Sequence, residues 1–225
     1  MTPGAGPAYV FKDFAHTSHR LLLEWAGAGQ GKVLDAGAAI GYLGARLATM
    51  WPVVVGVDVD PAGACQAPPE YAAFHTYDIS TMPVLPEAPF DVVVAGDVLE
   101  HVVDPATAVG RLLVQLAPGG RLLLSVPNVA YVLVRLELLF GRFQYRPRGI
   151  LDATHLRFFT RHSVRRLLAE AGLEVDRMVG VPAPLPLVSS RFTTGAGRWL
   201  YDATALAARV WPTLFAYQFV VEARR

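Results

Sequence analysis

Runs of apolar residues alternate along this chain with segments in which apolar residues repeat at helical spacing. The runs predict strands at residues 32–36, 52–57, 72–77, 90–95, 121–126, 173–181 and 214–222. The helical spacing predicts helices at residues 9–26, 42–49, 105–116, 129–140 and 160–172. Asp104 before Pro105 is a typical helix start, and Gly172 is a typical helix end.

Strands that alternate with helices are typical of a parallel sheet covered by helices on both faces. The runs 53–57 and 92–95 are apolar throughout, which suits strands buried on both sides. We therefore predict an α/β fold with a doubly wound, seven-stranded, mostly parallel sheet. One domain is expected over residues 1–225, with an N-terminal helical cap at 1–30 and a lid insertion after strand five at 128–159.

The overall composition predicts a well-packed globular protein, with 53% hydrophobic and 17% charged residues. A net charge of +1 gives no support for nucleic-acid binding. The charge is uneven, because residues 1–141 carry a net −6 and residues 142–225 a net +7. This basic excess suits either an anionic small-molecule acceptor or a solvated arginine-rich face. Its densest part comprises Arg142, Arg146, Arg148, Arg157, Arg161, Arg165 and Arg166.

The cysteine content and the hydropathy of the chain indicate the cellular compartment in which the protein is expected. Cys65 is the single cysteine, so no internal disulfide can form. The start of the chain lacks a secretory signal pattern, and no apolar run approaches the roughly 20 residues that span a bilayer. We expect a cytoplasmic protein without a transmembrane segment.

The first strand leads into a turn of small residues with chemical significance. Asp35 is followed by Gly37, Ala39 and Gly41, which allow a ligand to approach the backbone at the start of a helix. The second strand ends at Asp58, where a carboxylate can accept hydrogen bonds from both hydroxyls of a ribose. The two features together predict a cofactor that contains adenosine.

Acidic residues come at or just beyond the ends of four predicted strands. They are Asp35, Asp58, Asp78 and Asp97. Sheets of this kind bind ligands outside the carboxyl ends of their strands, at the point where the strand order reverses. We therefore expect these carboxylates to surround one ligand site.

The motifs of this region resemble those of the class I S-adenosylmethionine-dependent methyltransferases. The matching residues are 33–41 (VLDAGAAIG), 55–58 (VGVD), 77–79 (YDI), 90–93 (FDVV), 99–101 (LEH) and 116–120 (LAPGG). The resemblance implies S-adenosylmethionine as cofactor and S-adenosylhomocysteine as product. It also implies an antiparallel last strand.

The resemblance assigns a role to individual cofactor-binding residues. Gly37 and Gly41 would hold the methionine part, with Asp35 orienting their loop. Asp58 and its neighbour Val59 would bind the ribose, and Asp78 with Ile79 would meet the adenine amine. Asp97 completes the expected set. Ala39 stands where the family usually has glycine, so its methyl group would lie close to the cofactor.

Three further segments resemble a bacterial subgroup found in glycan and natural-product pathways. They are residues 125–128 (SVPN), 149–160 (GILDATHLRFFT) and 214–219 (LFAYQF). The wider resemblance includes the O-methyltransferases of ubiquinone synthesis. We therefore predict methylation of a small molecule, with oxygen favoured as the accepting atom.

Two histidines are candidates for the base that a hydroxyl acceptor needs. His101 follows the fourth strand, and His155 lies in the loop before Thr160. Histidine suits this role because its ordinary pKa lies near neutrality. Neighbouring arginines are expected to lower the pKa of His155 further. The alternative for each histidine is a hydrogen-bonded structural role.

Asp97, Glu100 and His101 have the spacing of one helical face, and such a set can hold a divalent ion. The pattern resembles that of metal-assisted ubiquinone O-methyltransferases, in which glutamate usually takes the first position. Because Asp97 is one methylene shorter, we expect no metal.

The insertion at 128–159 is long for a connection in a compact domain, and such connections tend to be functional. Its apolar residues would cover the acceptor, pack as core, or form the interface of a homodimer. They are Tyr131, Leu136, Leu139, Phe140, Phe143 and Tyr145.

Two other functions compete with methyl transfer. A nicotinamide-dependent oxidoreductase would need a catalytic Tyr-x-x-x-Lys or an equivalent, and Lys12 and Lys32 are the only lysines. A non-catalytic subunit that binds the cofactor is the second alternative, which Ala39 keeps open.

Overall fold

A computed structural model describes residues 11–225 of the chain. Seven strands form one sheet in the order β3-β2-β1-β4-β5-β7-β6. The first five are parallel, and β7 is antiparallel to both β5 and β6. Their bounds are β1 Lys32–Ala36, β2 Val53–Asp58, β3 Ala73–Thr76, β4 Phe90–Gly96, β5 Leu116–Pro127, β6 Glu174–Val181 and β7 Gln218–Arg224. The predicted mostly parallel, seven-stranded sheet with an antiparallel last strand is confirmed.

Eight α-helices accompany the sheet over the described residues. They are α1 Ser18–Ala26, α2 Gly44–Leu47, α3 Pro61–Gln66, α4 Pro105–Leu113, α5 Val132–Leu139, α6 Arg161–Glu170, α7 Gly195–Val210 and α8 Pro212–Phe215. Short 3-10 turns lie at Leu99–His101, Leu185–Leu187 and Ser190–Thr193. None of these helices is both long enough and apolar enough to cross a bilayer.

Two apolar clusters cover the faces of the sheet. One face packs against α4 and α6 through Leu112 and Leu168, and the other against α1 and α2 through Leu22 and Leu47. The central strands β1, β2 and β4 contribute to both clusters. Burial on both faces explains why their sequences are continuously apolar rather than alternating.

Local hydrogen bonds set the helix starts that the sequence indicated. The Asp104 carboxylate accepts hydrogen bonds from Ala106 N and Thr107 N at the start of α4. Thr160 and Ser163 form a reciprocal capping box at the start of α6. Such caps satisfy amide groups that lack a partner within the helix.

Several predicted boundaries were wrong for local reasons. The helix predicted at 42–49 is only the four-residue α2, and the helix predicted to reach residue 116 ends at Leu113, because Leu116 already pairs with β4. The last strand begins at Gln218 rather than at 214, because α8 occupies Pro212–Phe215. The helix predicted at 9–26 begins, within the described residues, at Ser18. Its first two residues, and residues 1–10 of the proposed cap at 1–30, lie outside the described residues.

Two long connections leave the sheet at its carboxyl edge. The first spans residues 128–159, between β5 and α6, and contains α5. The second spans residues 182–217, between β6 and β7, and contains α7 and α8. Because β6 runs parallel to β5, both connections begin at the same edge as the loops after β1 and β4.

Candidate active site

The loops after β1 and β4 meet at the point where the strand order reverses. β1 leads to α2 on one face of the sheet, and β4 leads to α4 on the other. The two loops touch, because a Cβ atom built on Gly37 would lie 2.1 Å from Cγ2 of Val98. A cleft between diverging loops at the carboxyl edge is the usual ligand site of such sheets.

Backbone hydrogen bonds fix the first loop against the end of β2. Gly37 N and Ala38 N donate to Val57 O at 2.8 and 3.0 Å. Gly37 and Gly41 have φ angles of +75° and +83°, which glycine adopts without strain. Ala39 has a φ of +48°, in the left-handed region that side chains disfavour. The residue that departs from the family pattern therefore stands where a glycine conformation is required.

Asp58 joins this loop to the end of β2. Its Oδ2 accepts a hydrogen bond from Ala39 N at 2.7 Å, and its Oδ1 accepts one from Asp60 N at 2.9 Å. Each carboxylate oxygen retains a further lone pair for a ribose hydroxyl. Val59, beside it, is 67% exposed.

Asp35 lies within β1 and is buried, so it supports the loop from beneath. Tyr71 donates its hydroxyl proton to Asp35 Oδ2 at 2.6 Å, and a backbone hydrogen bond from Gly44 also reaches the carboxylate. Burial raises the pKa of Asp35 to about 6, although these hydrogen bonds act in the opposite direction. Sequence reasoning did not find Tyr71, because no local motif marks it.

Asp78 follows β3 and forms a turn. Its Oδ1 accepts a hydrogen bond from Ser80 N at 2.7 Å, while the neighbouring Ile79 is buried. The carboxylate of Asp78 is exposed, so it can still accept a hydrogen bond from an adenine amine.

Asp97 does not share a helical face with Glu100 and His101, so that prediction was wrong. Its φ of +56° turns the chain away from the 3-10 turn at Leu99–His101. Ser125 Oγ donates to Asp97 Oδ1 at 2.6 Å, and Gln218 Nε2 donates to Asp97 Oδ2 at 2.9 Å. The side chain is thereby held over the ends of β5 and β7.

A buried histidine from α1 adjoins this group. Lys12 N donates to His19 Nδ1 at 3.1 Å, and the His19 ring stacks on Tyr42 with 5.2 Å between centroids. Burial, together with the charge of Lys12, lowers the pKa of His19 to about 4. His19 is therefore neutral near physiological pH.

The structure brings His101 and His155 together although they are far apart in sequence. Their ring centroids are 4.8 Å apart in an edge-to-face arrangement. His155 is buried, and its Nδ1 lies 2.9 Å from Ile150 O. His101 is half-buried, and its Nδ1 lies 3.3 Å from Thr154 O.

Glu100 lies beside both histidines. Its backbone oxygen accepts hydrogen bonds from Leu156 N and Arg157 N, which fixes residues 154–157 against the loop after β4. The carboxyl group is buried, and its Oε2 has no hydrogen-bond partner. Burial, with the charge of Asp97 in addition, raises the pKa of Glu100 well above its ordinary value.

A possible metal-ligand set thus differs from the predicted one. Ligand atoms of Glu100, His101 and His155 lie within 4.8 Å of one another. Asp97 is not among them. The sequence could not place His155 in this group, because its proximity depends on the path of the long connection.

Five of the six apolar residues singled out in the first connection are exposed, so the prediction that they pack as core was wrong for those five. Leu136, Leu139, Phe140, Phe143 and Tyr145 are all exposed, from 43% to 76%. Only Tyr131 is half-buried, with its ring against Tyr217. Closure over an acceptor and contact with a second copy remain the two other predictions.

A family model described as a methyltransferase domain matches residues 8–177 of the chain. The chain belongs to the S-adenosylmethionine-dependent methyltransferase family. The predicted family and cofactor are confirmed, and methyl transfer replaces the nicotinamide alternative.

Curated relatives of this methyltransferase cover most of its length. A ubiquinone biosynthesis O-methyltransferase of Pseudomonas aeruginosa is 30% identical over 187 residues, which are 74% of this chain and 76% of the relative. The enzyme of the same name from Aromatoleum aromaticum is 26% identical over 178 residues, covering 74% and 75%. A relative from Mycolicibacterium smegmatis is 32% identical over 151 residues, and the match spans only 54% of that longer protein.

Solved structures show the same fold at low sequence identity. Magnesium protoporphyrin IX methyltransferase from Synechocystis, crystallised with S-adenosylhomocysteine, has a TM-score of 0.61 and 18% identity, covering 92% of this chain and 80% of that one. The [4+2]-cyclase SpnF has the same TM-score, identity and coverage. Since a cyclase shares the fold, the acceptor chemistry must be argued from the site itself.

Replacement of Ala39 by glycine should stabilise this methyltransferase. The left-handed conformation costs alanine about 1 kcal/mol, and the greater freedom of glycine in the unfolded chain offsets part of this gain. We expect Ala39→Gly to raise the free energy of unfolding by about 0.5 kcal/mol, measured by urea denaturation.

Ala38→Gly is the matched control, because Ala38 is buried in the same loop and lacks a positive φ. It should lower the free energy of unfolding by about 1 kcal/mol. Equal destabilisation by both substitutions would show that Ala39 is unstrained.

Proposed function

We propose that this methyltransferase methylates an oxygen of a small-molecule acceptor, with His155 as the general base. The observation that carries the proposal is the contact between His101, in the loop after β4, and His155, in the first long connection. One ring nitrogen of each histidine contacts a backbone carbonyl. S-adenosylmethionine supplies an activated methyl group when it is bound. The chain's residues must align the acceptor and remove its proton.

The hydrogen bond of His155 determines which nitrogen is basic. A carbonyl oxygen can only accept, so Ile150 O requires the proton of the neutral imidazole to reside on Nδ1. The lone pair of Nε2 is then available to take a proton from a hydroxyl group. The contact of His101 with Thr154 O favours the same tautomer for His101.

Burial keeps His155 in its basic form. The pKa of His155 is lowered because the buried environment disfavours the charged ring, and the nearby His101 acts in the same direction. The arginines expected to lower this pKa are not the cause. Arg157 instead donates a hydrogen bond to Val103 O.

The geometry also supports a small, anionic acceptor. Arg161 begins α6, directly after the bridge between Phe159 and Asn128 at the end of β5. Its Nε is buried and has no hydrogen-bond partner. A carboxylate or phosphate on the acceptor would satisfy this donor. The names of the ubiquinone O-methyltransferase relatives support oxygen as the accepting atom.

The cofactor assignment predicts that Asp58→Ala weakens binding of S-adenosylhomocysteine by about ten- to thousandfold, since hydrogen bonds to a charged group contribute about 1.5–3 kcal/mol each. Isothermal titration calorimetry measures the affinity. Asp60→Ala is the matched control, because Asp60 only caps α3 through Ala62 N. Wild-type affinity in Asp58→Ala would exclude the ribose assignment.

The base assignment predicts that His155→Ala lowers kcat by about 10²- to 10⁴-fold, the usual effect of losing a general base. Phenols, catechols and sugar phosphates with labelled S-adenosylmethionine serve as probe acceptors, and single-turnover rates report the transfer step. Cofactor affinity should be unchanged. His101→Ala should have a smaller effect, and His162→Ala, an exposed position on α6, should have none.

Two results would overturn this assignment. If His155→Ala turns over normally and His101→Ala is inactive, His101 and not His155 is the general base. Full rates in both variants would mean that alignment of the acceptor suffices.

We propose that methyl transfer needs no metal, because burial raises the pKa of Glu100 and so disfavours the carboxylate form that would bind an ion, and because one ring nitrogen of each histidine already contacts a carbonyl group. The initial rate should therefore be the same before and after dialysis against EDTA. A rate that EDTA abolishes and Mg²⁺ or Zn²⁺ restores would instead assign an ion to Glu100, His101 and His155.

A further inference from the structure

The second long connection presents a row of apolar side chains to solvent. Trp199, Leu206 and Val210 are 81%, 63% and 75% exposed, and with the exposed Ala203 they follow one face of α7 at spacings of four, three and four residues. Trp211, directly after the helix, is 58% exposed. We call these five residues the α7 stripe.

The opposite face of α7 is firmly packed. Tyr201, Ala205 and Ala208 are buried, and the Tyr201 hydroxyl donates to Ala15 O at 2.7 Å. Asp202 also pairs with His16, which joins the helix to the segment before α1. The α7 stripe is therefore held outward by a fixed helix.

An apolar groove adjoins the α7 stripe and links the two long connections. Its volume is about 270 Å³. The lining consists almost wholly of apolar side chains: Tyr131, Ala183, Leu185, Ala203, Ala207 and Phe215. Arg135 Nη2 donates to Thr213 O beside it, which ties α5 to α8. A continuous apolar surface of this kind on a soluble fold is typical of an interaction site.

The second long connection itself carries a positive net charge. Residues 182–217 contain three arginines, Arg191, Arg198 and Arg209, but only one acid, Asp202. Asp202 is already paired with Arg198. The three arginines and one acid give residues 182–217 a net charge of +2.

We propose that the α7 stripe binds the surface of an anionic lipid bilayer, with α7 lying in the plane of the interface. Exposed tryptophans favour the headgroup region, and apolar side chains beside them enter the acyl boundary. The arginines would pair with anionic headgroups. With 16 residues, α7 is too short to span a bilayer.

A second copy of the chain fits this surface less well. Symmetric pairing would set the stripe of one copy on the stripe of the other, and so bring the arginines of one copy close to those of the other. Anionic headgroups neutralise these charges, whereas a symmetric partner duplicates them.

The position of the α7 stripe gives the contact a functional meaning. Residues 182–217 leave β6 and enter β7 at the carboxyl edge of the sheet, the edge that holds Asp58, Asp97 and the two histidines. Docking by α7 would bring this edge close to the bilayer. The membrane contact does not depend on His155 or on O-methylation, so either proposal can fail alone.

Vesicle binding tests the proposal directly, because the chain carries its own reporters. Trp199 and Trp211 are exposed, while Trp25 and Trp51 are buried. Vesicles of phosphatidylcholine and phosphatidylglycerol in equal parts should shift the tryptophan fluorescence emission to shorter wavelength. They should also protect this fluorescence from quenching by acrylamide. Phosphatidylcholine alone should do so far less. Absence of binding to the anionic vesicles would overturn the proposal.

Matched substitutions locate the contact. Leu206→Asp and Arg209→Glu should each lower the partition coefficient of the protein between the anionic vesicles and buffer by about tenfold or more. Val84→Asp and Arg165→Glu, at exposed positions outside the two connections, should leave it unchanged. Circular dichroism melting curves show whether each variant is folded. An equal loss of vesicle binding in the control variants would show that binding depends only on the overall charge of the protein, and this would contradict the proposal.

Light scattering in the absence of lipid tests whether a second copy of the chain, rather than a bilayer, covers the α7 stripe. The proposal predicts that Leu206→Asp leaves the oligomeric state unchanged. A dimer that Leu206→Asp dissociates would assign the α7 stripe to a second copy and overturn the membrane assignment.

Discussion

The close approach of the loop after β1 to the loop after β4 is the constraint on which the site depends. Gly37 has no room for a side chain, because Val98 occupies the space where a Cβ atom would project. The amides of Gly37 and Ala38 are held by Val57 O, and the amide of Ala39 is held by Asp58. The ends of β1, β2 and β4 are thus connected before any ligand binds. This connection holds the loop after β1, Asp58 and the loop that carries His101 at one edge of the sheet.

Burial of ionisable groups gives this edge its chemical character. Asp35 and Glu100 have raised pKa values because they are buried, and His19 and His155 have lowered ones for the same reason. In each case the environment favours the neutral form. A site that keeps an imidazole neutral suits the removal of a proton from an uncharged hydroxyl group.

Much of the fold could be predicted from the sequence because its signals are local. The strands of a doubly wound sheet are continuous apolar runs, and Asp58 is recognisable because it ends such a run about 20 residues after a small-residue turn. The family motifs lie within the same loops. Helix starts at Asp104 and Thr160 likewise depend on hydrogen bonds to nearby residues.

The rest depends on contacts between distant segments. Tyr71 meets Asp35 across 36 positions of sequence, and His101 meets Thr154 across 53. Asp97 was misplaced because its side chain is held by Ser125 and Gln218, contacts that no local pattern reveals. The helix α7 was missed because it begins at Gly195 and Gly197 and presents apolar residues on both faces.

The central claim is that S-adenosylmethionine binds in the cleft between the loops after β1, β2 and β4. Hydrogen–deuterium exchange with and without S-adenosylhomocysteine tests it most directly. The account predicts slower exchange of the amides of residues 38–41, 59–60 and 98–101 when the ligand is present, and unchanged exchange in β6. Protection confined to the groove beside α7, or no protection at these loops at a ligand concentration that saturates binding, would contradict it.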